Sequence, residues 1–303
     1  MPRYISKHTG KKIDDTIDSV VNPNLLDNWY FGNPVNQRGK TEYTGAGYGI
    51  DRWKANGPTV TVKVEDGEIQ VIDNSTDWNG IIQLFENWKD FAGKTVTLSA
   101  LGYTVGVGHT LALQYGDNTS IATRVFPRDT LGLVSFTVKV PDSIDSKFKV
   151  RTVRTGNQSG NSTLHLKAIK LELGTTQTLA HQDSNGNWVL NEIPDYGEQL
   201  ARCQRYFINL MAPIDAYCAG NGVTLNGVCY WEISLPCEMR AVPSFANTSN
   251  LVAEVYGNGE MQNATNVEIT TTASNQVRGR MNCSLANSTN YVKFKNCMLT
   301  ADL

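Results

Sequence analysis

Apolar and polar residues alternate with period two through most of this chain. TVTVKV (59–64), EIQVI (68–72), TVTLSAL (95–101), LALQY (111–115), VSFTVKV (134–140), FKVRTV (148–153) and LHLKAIKLEL (164–173) each set apolar side chains on one face and polar ones on the other. EDGE, AGKT, YGDN and TGNQSGNS supply the turns between them. Short strands in this density, with no helix among them, predict an all-β fold over 23–176, a β-sandwich of the jelly-roll type. Residues 176–196 are polar and broken by Gly and Pro, and read as a linker or connecting hairpin. Alternation then returns in VCYWEISL (228–235), LVAEVY (251–256), NVEITTT (266–272), VRGRMNCSL (277–285) and YVKFKNCML (291–299), predicting a second, smaller β-sandwich over 197–303.

Two segments follow helical spacing instead. Ile13, Ile17 and Val20 or Val21 recur at i, i+4 and i+7, and Pro23 blocks continuation, so a short helix is expected within 1–22. A helix of about ten residues is marginal alone in water. Its narrow stripe can pack against copies of itself as a trimerisation and attachment segment, where isoleucine core positions favour trimers, dock on its own domain, or fray as a tag. The second is YGEQLARCQRYF (196–207), with Leu200, Cys203 and Phe207 on one side.

Composition narrows the function. Hydrophobic residues make up 40% and charged residues 18%, too apolar for a disordered chain. The balance is Thr, Ser, Asn and Gly, which suit tight turns. A net charge of −2 gives no basic field for a phosphate backbone, so nucleic acid is not an expected partner. No apolar run approaches the roughly 20 residues that span a bilayer, so no membrane insertion is expected. MPRYISKHTGKKIDD has no apolar core of a secretory signal, so synthesis in a cytoplasm is expected. The six cysteines, Cys203, Cys218, Cys229, Cys237, Cys283 and Cys297, show no zinc spacing. They read as buried thiols, or as disulfides if the mature protein sits outside the cell.

Several stretches resemble known families. NLLDNWYFGNPVNQRG (24–39), YGIDRWKA (48–55) and GKTVTLSA (93–100) resemble segments of carbohydrate-binding-module-like jelly rolls. KAIKLELGTTQT (167–178) resembles the last strand of that domain in prophage tail proteins. YGEQLARCQRYF (196–207) and LPCEMRAVPSF (235–245) are similar to the start and interior of the C-terminal head domain of phage tail-fibre proteins. The resemblance implies a homotrimeric tail-fibre or baseplate-tip protein, made in the host cytoplasm and carried on the virion tail. Its implied partners are other tail or baseplate proteins and a bacterial surface polysaccharide. A structural baseplate or collar adaptor is the alternative, and a polysaccharide depolymerase a third.

Glycan binding needs flat aromatic faces for sugar C–H surfaces, with amides and charges to fork hydrogen bonds to hydroxyls. Trp78 lies in the turn-like DNSTDWNG, with Asp77 and Asn79 beside it; Trp88 and Trp188 also sit among polar residues. Each could touch ligand or clamp a strand end. Trp53 and Trp231 read as core. In the C-terminal part, Tyr217, Tyr256 and the Asn/Gly-rich stretches AGNGVTLNG (219–227) and YGNGEMQNAT (256–265) read as recognition loops or plain turns. Carbohydrate-binding jelly rolls commonly hold a structural calcium; Asn24, Asp51 and Glu172 are the oxygen ligands available here, without any DxDxDG loop. Catalysis is not expected. The carboxylates lie largely in turns, the histidines His8, His109, His165 and His181 are scattered, and neither GxSxG nor HExxH occurs.

Overall fold

A computed structural model of the chain describes residues 9–10, 22–210, 217–257, 259–273 and 275–303. The stripe from Ile13 to Val21 lies outside the described residues. The chain divides into two compact units, the first ending at Tyr196 and the second spanning Gly197–Leu303.

The first unit contributes β1 (Glu42–Thr44), β2 (Gly47–Tyr48), β3 (Lys54–Ala55), β4 (Thr61–Glu65), β5 (Glu68–Asp73), β6 (Ile81–Leu84) and β7 (Thr95–Gly106). They continue with β8 (His109–Tyr115), β9 (Thr119–Val125), β10 (Gly132–Lys139), β11 (Lys149–Arg154), β12 (Ser162–Leu173), β13 (Ala180–Gln182) and β14 (Trp188–Leu190). Two six-stranded antiparallel sheets result, in the orders β1-β4-β5-β12-β7-β10 and β2-β3-β6-β11-β8-β9. Their inner faces share one core that includes Trp29, Phe31, Trp53, Leu98, Phe148 and Leu171. Phe85, Phe91 and Phe148 pack as tilted rings in its interior with centroids 4.7–5.3 Å apart.

Two irregular segments complete this unit. β5 pairs with β12 only as far as Leu166, where a bulge shifts the register. Beyond it, residues 25–31 take the vacated edge: Leu25 N donates to Leu171 O (2.9 Å) and Phe31 N to Lys167 O (2.9 Å). Residues 177–196 include the β13–β14 hairpin, and Leu179 and Ala180 join the first core. Beneath it, fully buried Lys170 donates to Glu192 (2.8 Å), with Glu172 3.9 Å away.

The helix α1 (Tyr196–Gln204) forms where the second helical spacing falls. After it come β15 (Phe207–Asn209), β16 (Cys218–Leu225), β17 (Val228–Ser234), β18 (Ser244–Phe245) and β19 (Val252–Gly257). The last strands are β20 (Glu260–Asn263), β21 (Thr265–Ala273), β22 (Gln276–Asn282), β23 (Ser288–Lys295) and β24 (Met298–Thr300). A seven-stranded sheet, β20-β19-β23-β16-β17-β22-β21, accompanies a three-stranded one, β15-β24-β18. Trp231 and Phe294 meet edge-on at 5.0 Å in the core. Gly279 makes this possible, because a Cβ there would strike the Trp231 ring and the Glu268 carbonyl. Residues 219–227, expected as a loop, are instead mostly the interior strand β16; Gly222 faces the core, where a Cβ would collide with Cys229 Sγ. Within 256–265, Tyr256 and Gly257 end β19 and Glu260–Asn263 form β20, which pairs with it, rather than a long loop. All six cysteines are free thiols, four of them buried.

Candidate functional site

β11 is buried along its whole length although one of its faces looks outward. Val150 points into the core, so Lys149, Arg151 and Val153 point away from it. Cations on an outer face would normally be solvated; Lys149 is only 6% exposed and Arg151 5%. Two loops cover them. Lys149 Nζ donates to the carbonyls of Gly116 (2.9 Å) and Asp117 (3.2 Å) in the β8–β9 turn. The Arg151 guanidinium donates to Asn118 Oδ1 (2.6 Å) on one side and to the Trp78 carbonyl on the other. Its Nε is buried and has no partner among the described residues. Burial lowers the pKa of both groups, that of Lys149 further through neighbouring Arg151.

The register sets Arg151 in a transverse row. Lys54, Ile82, Arg151, Ala112 and Thr123 lie side by side on β3, β6, β11, β8 and β9. Tyr48 extends the row, with Lys54 Nζ 5.6 Å and the Arg38 guanidinium 5.7 Å from its ring centre. In the next row Gln114 donates to Ser120 Oγ (3.0 Å). The β8–β9 turn is held in place by Asp145, which accepts from the backbone N–H groups of Gly116 and Lys147 (2.9 Å each).

Trp78 stands at the edge of this face, 55% exposed. Its indole rests on Gly156, where any Cβ would collide with Nε1, Cε2 and Cδ1. The loop that carries it is rigidly tied. Asp73 accepts from Thr59 Oγ1 (2.6 Å) and Ser75 Oγ (2.8 Å), and Asn79 donates to Ser75 Oγ (3.1 Å). Burial alone would raise the Asp73 pKa, but the hydrogen bonds from Thr59, Ser75 and Asn79 bring it below the usual value. Arg154, fully buried, ties the Trp78 loop to the β11–β12 loop that carries Gly156, through the carbonyls of Asp73 (3.3 Å), Gln158 (2.8 Å) and Gly160 (2.9 Å). Its register partner His109 accepts or donates to Ser162 Oγ (3.1 Å). Burial, helped by the Arg154 charge, drops the pKa of His109 to about 3.

The expected residues separate on this map. Trp78 and exposed Asp77 stay together at the edge of the face. Asn79 does not join them as a ligand contact: it is 6% exposed, with its amide spent within the loop. Trp88 lies in a 3-10 turn (Trp88–Phe91) at the far end of β6, packed on the core with Lys89 over its ring. Trp188 packs on the core from β14. Tyr217 and Tyr256 belong to the second unit, where both rings approach Lys293 Nζ, at 4.3 and 4.7 Å.

Asn24, Asp51 and Glu172 do not fit a calcium ion. Asn24 Oδ1 already accepts from Leu26 N and Leu171 N, and Asp51 from the backbone and side chain of Gln37. Both Glu172 oxygens accept from Thr178, and the Lys170 ammonium stands beside them. Burial raises the Glu172 pKa, against the pull of Thr178 and Lys170. Among the described residues no three His, Cys, Asp or Glu side chains gather as a metal would require.

No protein-family model matches the chain, and no curated protein matches it. Among solved structures, it is similar to the C-terminal family 22 carbohydrate-binding module of Clostridium thermocellum Xyn10B, at 15% identity over 42% of this chain and 88% of that one, with a TM-score of 0.32. A CBM4 structure shares 16% identity over 49% of this chain and 99% of its own, with a TM-score of 0.35. The CBM22-1 xylan-binding domain of Paenibacillus barcinonensis Xyn10C shares 15% over 52% and 97%, with a TM-score of 0.34.

The pattern reading missed Arg151, Lys149, Gln114, Asn118 and Tyr48. Its only trace of the first two was FKVRTV, where the polar positions of a strand flanked by apolar residues are both cationic. Chemically, the face offers the exposed Trp78 indole and the exposed Asn118 amide, both held in place by the buried Arg151 guanidinium. An exposed ring beside hydrogen-bonding groups is the chemistry that suits a polyhydroxylated ligand. The carboxylate nearest in the chain to Asn118, Asp117, is engaged by Lys147 on the exposed turn.

Proposed function

We propose that this chain is a non-catalytic polysaccharide-binding protein whose first unit receives saccharide on the face shared by Trp78 and Arg151. The observation that carries the reading is the indole laid on Gly156, with its carbonyl held by a buried arginine that also holds Asn118. An aromatic face fixed before binding loses little entropy when a sugar stacks on it, and water is displaced from both apolar surfaces. The finer reading is a homotrimeric tail-fibre or baseplate-tip protein that attaches a phage or phage-like particle to a bacterial surface glycan. That reading rests on the ordered segments YGEQLARCQRYF and LPCEMRAVPSF. Many weak sites on one particle would then act together, so each need be only about millimolar.

A glycan array or cell-wall pull-down with the full chain tests the binding. Trp78→Ala should weaken binding by about tenfold or more, roughly 1.4 kcal/mol, while Trp88→Ala should leave it intact. Full binding by Trp78→Ala would remove this face from the reading. Light scattering tests the assembly separately: a trimer gives about three times the chain mass of 33.4 kDa, and a monomer contradicts it.

A further inference from the structure

The outer face of the seven-stranded sheet carries a trough that the first unit's chemistry does not use. Its cavity measures about 430 Å³, within the range of small-ligand sites. Two rows of outward side chains bound it. Asn221, Glu232 and Arg278 form one row across β16, β17 and β22. Thr289, Val223 and Tyr230 form the other across β23, β16 and β17, with Arg280 next in register on β22. Between the rows, Gly222, Trp231 and Gly279 turn their positions toward the core and leave the floor low.

The lining narrows the ligand. Its charges cancel locally: Arg278 meets Glu232 at 2.7 Å and Arg280 meets Glu268 at 2.8 Å. An anionic or cationic ligand would have to break one of these pairs, whereas a neutral one can use both members as donor and acceptor. A peptide added as a strand finds nothing to pair with, because β23, β16, β17 and β22 each have neighbours on both sides. What remains available is side-chain chemistry. Tyr230, on the central strand β17 and 52% exposed, gives a ring face in the middle of the trough, with Asn221 and Thr289 beside it as partners for sugar hydroxyls. We propose that this trough is a saccharide-binding site for a neutral oligosaccharide laid across the strands, distinct from the face of the first unit and independent of it.

Affinity electrophoresis of the full chain tests this, in gels containing laminarin, xylan, galactomannan or, as the acidic arm, polygalacturonate. Four chains are compared: wild type, Trp78→Ala, Tyr230→Ala with Asn221→Ala, and all three substitutions combined. Tyr230 and Asn221 are both exposed, so an unchanged urea midpoint verifies that each variant folds. The expected result is that a neutral polysaccharide still retards the Trp78→Ala chain and that adding the two trough substitutions weakens this by about tenfold or more. Retardation lost with the trough substitutions but untouched by Trp78→Ala would support the trough and count against the first-unit reading. Retardation unaffected by the trough substitutions in every gel would overturn the proposal. Loss confined to polygalacturonate, or no retardation of any chain, would overturn it as well.

Discussion

The two units handle charge on their sheets in opposite ways. In the first, Lys149, Arg151, Arg154 and Lys170 are buried, and each is held by carbonyls, amides or carboxylates from distant loops. In the second, Arg278, Arg280 and Lys295 stand on a solvated face, paired to Glu232, Glu268 and Glu254 on neighbouring strands. A buried cation fixes the loops around it because losing its partners leaves an uncompensated charge. An exposed pair costs little to form and fixes little. The first arrangement builds a rigid platform under Trp78, and the second leaves a smooth, self-neutralised trough.

The sharpest way to break this contrast is Lys170→Ala. It leaves Glu172 and Glu192 facing each other beneath the β13–β14 hairpin and should cost about 3–5 kcal/mol, read as a fall in the urea midpoint of the first unit. Loss below about 1 kcal/mol would mean that this cation is no more structural than those of the second unit.

Acid titration comes next. His109 has a folded pKa of about 3 against an unfolded value of about 6.5, so the unfolded chain binds the proton first. Its contribution is therefore intact above about pH 6.5 and declines as pH falls toward 3, by on the order of 2 kcal/mol at pH 5. Urea midpoints of the first unit should fall over this window, and His109→Gln should flatten the fall. An identical pH slope in the variant contradicts the assignment.

A smaller effect is expected from Gly156→Ala. Its Cβ must displace the indole or the loop, at about 1–3 kcal/mol, and saccharide binding should weaken with it. Unchanged tryptophan emission would show that the ring does not rest there. The smallest effect is Glu232→Gln, which should change stability by less than about 1 kcal/mol, less still in high salt.

The strands were legible because alternation is local: β4, β5, β7, β8, β10, β11 and β12 each overlap a segment that the pattern marks, running past it by one to five residues. β9 escaped because TSIATRV is an edge strand with much of both faces exposed, so no apolar period marks it. β16 was read as a loop because Gly220 and Gly222 look like turn residues, when contact with Glu232, Ile233 and Cys229 is what demands them. Trp78 could be singled out because its polar neighbours predict exposure. Arg151 could not, since its partner carbonyl lies 73 residues away and only the fold joins them. The same holds for Asn79, whose polarity is legible while the hydroxyls that consume it are not.

Iodide quenching of tryptophan fluorescence, with and without saturating saccharide, tests the central claim most directly. Trp29, Trp53 and Trp231 are at most 3% exposed, Trp88 and Trp188 are half-buried and Trp78 is 55% exposed, so Trp78 should carry the largest single share of the quenchable signal. A polysaccharide that binds the full chain should shift the emission to the blue and remove that signal, and neither change should occur in Trp78→Phe. Binding that leaves iodide access to Trp78 unchanged would contradict the account.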